Sequence, residues 1–113
     1  MTNGQIIDIL ETTASLMELH DENSFKVKAV QNAVFNLEKL SEPLNEMDLE
    51  SLEKLSGIGK GIASKIYEIV QTGTSEEYQS YISNTPAGVI DMLGIKGVGP
   101  KKVRTLWKEH DLD

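Results

Sequence analysis

Along the first third of the chain, apolar and polar positions follow a helical period. Between residues 2 and 19, Ile6, Ile7, Leu10, Ala14 and Met17 fall on one face, and Thr2 or Asn3 supplies an N-cap. The polar run HDEN breaks the pattern. Ser24 then caps a second helix with the stripe Val30, Ala33, Val34, Leu37 and Leu40, which must end ahead of Pro43. A short third helix starts at Asp48 with Leu49, Leu52 and Leu55 turned inward, and Gly57 stops it. Ile62, Ala63, Ile66, Ile69 and Val70 form the apolar face of a fourth helix, with Gly73 placed as a C-terminal stop. Ser75 caps a fifth helix running through Tyr78, Tyr81 and Ile82. Pro86 and Pro100 open two more, the last over residues 100–109 with Val103, Leu106 and Trp107 inward. No stretch alternates with period two over a useful length. The predicted fold is all-α, a compact orthogonal bundle of six or seven short helices.

The 113 residues and 39% hydrophobic content suit one compact domain, or two small helical units sharing a core. With no cysteine, disulfides and thiolate metal sites are excluded, and an intracellular, reducing setting is natural. No basic-then-apolar leader opens the chain, and no apolar run approaches the roughly 20 residues of a membrane span. A soluble, cytoplasmic protein is therefore expected.

A net charge of −7 argues against coating nucleic acid by bulk electrostatics, but its distribution changes the picture. Lys54, Lys60 and Lys65 surround one Gly-x-Gly; Lys96, Lys101, Lys102, Arg104 and Lys108 surround another. Together these are eight of the eleven basic residues, with no acidic residue interspersed between Lys54 and Tyr67 or between Gly94 and Lys108. The acids lie elsewhere, notably Glu42, Glu46, Asp48, Glu50 and Glu53. An acidic body with two basic spots fits local contact with a phosphate backbone.

Those spots are one motif written twice: LSGIGKGIASKI at 55–66 and IKGVGPKKVRTL at 95–106. Alignment pairs Gly57 with Gly97, Ile58 with Val98, Gly59 with Gly99, Ala63 with Val103 and Ile66 with Leu106. In each, a helix ends, turns through Gly-apolar-Gly and gives way to another helix. The glycines serve special backbone angles or close approach, and the apolar residue tucks beneath. Bare N–H groups and the positive end of the following helix make a small anion site, to which the first turn adds Lys60, or Lys101 and Lys102. A single Gly-x-Gly is most often a plain tight turn. Two copies with basic first turns and matching apolar faces point to a shared role in holding phosphate. A Rossmann loop is disfavoured because no strand precedes either copy, and a P-loop because the Gly-Lys-Ser/Thr ending is missing.

GIGKGIASKI and GVGPKKVRTL resemble paired helix-hairpin-helix motifs. In known families these bind the sugar-phosphate backbone of DNA without sequence specificity, often with a monovalent cation at the hairpin carbonyls. Together with ENSFKVKAVQNAVFNLEKL at 22–40 and TPAGVIDMLGIKGVGPKKVRTLWKE at 85–109, they resemble, in order, the N-terminal region of bacterial family X DNA polymerases, relatives of DNA polymerase beta. The resemblance runs from about Ile6 to Glu109. It implies a small-domain-like unit at 1–84 with the first motif and a second unit at 85–113 packed on it. It also implies binding of gapped or nicked DNA in repair, at the bacterial nucleoid. The first hairpin would meet the downstream 5′-phosphate side of the gap, the second the primer side. The implied DNA contacts are Lys26, Gly57, Ile58, Gly59, Lys60, Gly61, Gly97, Val98, Gly99, Lys101, Lys102 and Arg104. Na+ or K+ would sit at the carbonyls of Gly57, Gly59, Gly97 and Gly99. The palm with its three metal-binding aspartates has no counterpart here, so a C-terminal polymerase domain is expected in the full-length protein.

The resemblance also implies a second activity, a 5′-deoxyribose phosphate lyase with Lys65 as Schiff-base nucleophile. Such a lysine must be neutral to attack. Lys65 borders the apolar face of Ile62, Ile66 and Ile69, and Lys26 falls in the stripe of Val30, Ala33 and Leu37, matching a family lysine that contacts the 5′-phosphate. Both also read as ordinary lysines whose stems cover apolar surface. Where some relatives carry basic or aromatic groups beside the pocket, this chain has Gly61, Val30 and Gln31, which thins the positive charge and weighs against the lyase. A third reading is a protein-interaction module working through the acidic segment 42–53. His20 and His110 are isolated and form no metal spacing. Asp21-Glu22 and Glu76-Glu77, at helix ends, read as solvated or dipole-compensating, and Trp107 as core.

Overall fold

Thr2 opens the first helix as its position predicts. Its hydroxyl accepts from Gln5 N at 3.2 Å and Gln5 Oε1 accepts from Thr2 N at 2.9 Å, a capping box at the head of α1 (Asn3–Leu19). The computed structural model describes residues 2–93, 99, 103–105 and 107. After α1 come α2 (Ser24–Leu37), a 3-10 turn (Leu44–Glu46), α3 (Leu49–Glu53), α4 (Lys60–Thr72), α5 (Glu76–Ser83) and α6 (Ala87–Leu93). Residues 103–105 and 107 are also helical, while most of the expected last helix, including Leu106, lies outside the described residues. The fold is all-α, with no strand among the described residues.

Three helices build the main core. Ile6 and Leu10 of α1, Val30, Ala33 and Leu37 of α2, and Ala63, Ile66 and Ile69 of α4 are all essentially inaccessible to water, each large side chain worth roughly 1.5–3 kcal/mol of burial. A second cluster, Leu16 and Leu19 with Val89 and Val103, forms at the other end of α1, ringed by Tyr78, Tyr81, Ile82 and Trp107. Trp107 thus packs at a core edge, as expected.

Several local expectations shift. Asn23 rather than Ser24 caps α2, its Oδ1 accepting from Phe25 N at 2.8 Å. The α2 stripe begins at buried Val27, which leaves Lys26 exposed on its flank. The helix stops at Leu37, so Leu40 packs from the following turn. Leu49 does not turn inward, because α3 is too short to bury more than one side, and that side is taken by Leu52. Leu44, from the 3-10 turn, is fully buried in the main core and is held by Asn3: Asn3 Oδ1 accepts from Leu44 N and Asn3 Nδ2 donates to Glu42 O, both at 2.8 Å.

Candidate nucleic-acid interface

The turn between α3 and α4 is shaped by one obligatory glycine and one buried side chain. Gly57 has φ +77°, a left-handed conformation, and a Cβ there would lie 2.1 Å from Asn36 Nδ2. Ile58 tucks beneath the turn, its N–H donating to Leu55 O at 3.2 Å. Gly59 then occupies the N-cap of α4 in extended conformation, and its carbonyl accepts from Ala63 N at 2.9 Å.

The start of α4 differs from those of α1, α2, α3 and α5. Thr2, Asn23, Asp48 and Ser75 cap α1, α2, α3 and α5 with side-chain oxygens, whereas α4 has no side-chain cap. Its first-turn N–H groups, with the positive end of the helix, are offered outward. A Cβ at Gly59 or Gly61 would meet no atom within 4 Å, so packing does not explain either glycine. These residues open onto a groove of about 530 Å³ lined by Gly57, Gly59, Gly61, Lys26, Lys65 and Glu77, among others. Lys60 is exposed beside it.

Lys26, Gly57, Gly59, Gly61 and Lys65 are therefore brought to one groove, while Ile58 is buried in the core at the turn. Lys65 is not free: its Nζ lies 2.7 Å from Glu77 Oε1. That carboxylate oxygen is itself buried, so the ammonium is what compensates it. Glu77 was expected to be solvated or to compensate the helix dipole. The α4–α5 turn carries it back over Lys65 instead, and Glu76 N donates to Glu68 Oε2 at 2.9 Å across the same turn. No local pattern marks this contact.

The echo extends to the backbone of the second copy. Val103 N donates to Gly99 O at 3.0 Å, as Ala63 N does to Gly59 O at 2.9 Å, and Ala63 and Val103 are both fully buried. Gly97, Val98, Lys101 and Lys102 lie outside the described residues. Arg104 has a place in the fold itself. Its guanidinium donates to Leu19 O at 2.9 Å and approaches Asp21 Oδ2 at 3.9 Å, so it satisfies the C-terminal end of α1.

The aromatic cluster beyond the groove is structural. His20 lies 5.3 Å from the Tyr81 ring and 5.5 Å, edge-on, from that of Trp107. Thr85 gives its hydroxyl proton to Tyr81 O at 2.6 Å, so its Oγ1 accepts from His20 Nε2, which lies 2.8 Å away. Among the described residues, no cluster of three or more His or carboxylate side chains could hold a metal, and no helix is long and apolar enough to cross a membrane.

A glycine hairpin between two helices, uncapped on the side of a basic groove and echoed in backbone geometry, defines a class. The chain belongs to the helix-hairpin-helix domain family, whose pattern matches residues 1–75. Its whole length aligns over 116 residues, at 40% identity, with the DNA polymerase/3'-5' exonuclease PolX of Bacillus subtilis (strain 168), in that protein's N-terminal part. The chain spans about a fifth of that relative, 20% of its length.

Proposed function

We propose that this unit grips the sugar-phosphate backbone of gapped or nicked DNA without reading bases, as the N-terminal part of a family X DNA polymerase acting in repair. The observation that carries this is the uncapped first turn of α4, which opens through packing-free Gly59 and Gly61 onto a groove holding Lys26 and Lys65. Backbone N–H groups hold a phosphate oxygen regardless of sequence. The acidic body, at −7 overall, keeps affinity low away from the basic spots. The carbonyls of Gly59 and Gly99 each spend one lone pair on a helix N–H and keep another, so they suit a hard monovalent cation, Na+ or K+, which would add local positive charge beside a bound phosphate.

The lyase reading meets a specific obstacle. Lys65 is paired with a carboxylate, a contact made by the ammonium, whereas Schiff-base attack needs the free amine.

The test is a titration of fluorescent gapped DNA bearing a 5′-phosphate, against the unphosphorylated gap and intact duplex, at several salt concentrations. The phosphorylated gap should bind tightest, and Lys60→Glu should lower the slope of log affinity against log salt by about 1–2. If no DNA binds even at low salt, the hairpin is only a turn, and the working surface moves to the acidic segment 42–53.

A further inference from the structure

Two lysines and one carboxylate line the groove, and the carboxylate is set against one of the lysines. Lys65 and Glu77 are each only about a third exposed, at 27% and 34% of their side chains, so neither is a freely solvated surface charge. Glu77 is also held by its surroundings. Ser75 caps α5 from a buried position, its Oγ accepting from Tyr78 N at 3.0 Å, and Glu68 fixes the turn through Glu76 N. The carboxylate thus occupies, from within the chain, the kind of position beside Lys65 that a phosphate oxygen would take.

We infer that Glu77 is an internal competitor of phosphate: binding a DNA strand at this groove exchanges the Lys65–Glu77 pair for a Lys65–phosphate pair, and Glu77 sets how tightly the groove holds DNA. This rests on the DNA-binding reading above. The exchange has a thermodynamic signature. A lysine freed of its carboxylate displaces a condensed counterion from DNA like any other, so its phosphate contact adds a full increment to the salt dependence. A lysine already neutralised from within the chain adds little, because displacing Glu77 leaves a carboxylate that must take up a cation of its own. Glu77 also remains near the bound phosphate and repels it; at about 5–6 Å and a solvent-screened dielectric of roughly 50–80, this corresponds to a weakening of about three- to tenfold.

The experiment measures Kd and salt slope for the 5′-phosphorylated gapped duplex with the wild-type chain, Glu77→Gln, Glu77→Ala, Lys65→Ala and the Lys65→Ala/Glu77→Gln double variant, with thermal melts as the fold control. Expected are tighter binding by about three- to tenfold in both Glu77 variants, a salt slope steeper by about 1, and loss of both gains in the double variant. A Glu77 of merely structural importance would weaken binding or leave the slope unchanged, and either result overturns the inference. Wild-type binding with unaltered Kd and slope in both Glu77 variants defeats it while leaving the DNA reading intact. Absence of wild-type binding at low salt defeats the DNA reading itself.

Discussion

Replacing Gly61 by alanine should make the protein more stable and a worse DNA binder, a combination that separates a functional glycine from a structural one. Gly61 lies in the first turn of α4, and its added methyl would meet no atom within 4 Å. A glycine in a helix costs about 0.5–1 kcal/mol relative to alanine, through unfolded-state entropy, so removing it should raise Tm by roughly 2–4 °C for a chain of this size. The same methyl projects from a residue lining the groove, where it blocks close approach to the N–H groups of the uncapped turn. Losing one charge-assisted N–H contact, about 1–2 kcal/mol, weakens binding roughly 5- to 30-fold. Gly57→Ala is the contrasting control. A left-handed φ of +77° and a Cβ 2.1 Å from Asn36 Nδ2 would force that side chain off its 2.8 Å bond to Asn32 O, for a total cost of about 2–3 kcal/mol. Thermal melts and titration of the phosphorylated gapped duplex measure both. Unchanged affinity in Gly61→Ala would refute this turn as the phosphate seat, and a fall in its Tm would refute the open space around it.

Two further outcomes follow from the far end of α1. Burial, aided by the charges of Glu22 and Glu77 and a hydrogen bond with Glu22, pushes Tyr81 from 10.0 up to about 12. Because the folded value lies above the unfolded one, the stability it contributes is complete below about pH 10 and is lost as pH rises through about 12. Thermal melts across that window should show a decline that Tyr81→Phe flattens; an equal decline in the variant would exclude Tyr81 as its source. Arg104→Met should cost about 1 kcal/mol by leaving Leu19 O without its donor, with the DNA salt slope unchanged. A slope lower by about 1 would show that Arg104 contacts DNA as well.

Much of this arrangement can be read from short windows of sequence. The capping box at Thr2, the stop at Gly73 with φ +81°, the cap at Ser75, and the Gly-Ile-Gly turn with its buried isoleucine depend on residues within one helical turn of each other. Local backbone preference and a 3.6-residue period are enough to specify them. The near misses are of the same local kind. Asn23 and Ser24 are both good caps, and α3 is too short for its period to say which leucine wins the core. The repeat is equally legible, because its glycines and its basic first turns recur at a fixed spacing along the chain. What the tertiary structure alone decided is which side chains from different helices face each other: Glu77 over Lys65, Asn36 under Gly57, Asn3 holding the loop at Leu44, and Arg104 on the carbonyl of Leu19. These contacts join residues on separate elements, so they follow from how the helices pack, and packing is set by the summed fit of many side chains rather than by any local pattern. The sequence therefore determines that a glycine hairpin with basic surroundings exists here, while the fold determines that one of its lysines already has an anion.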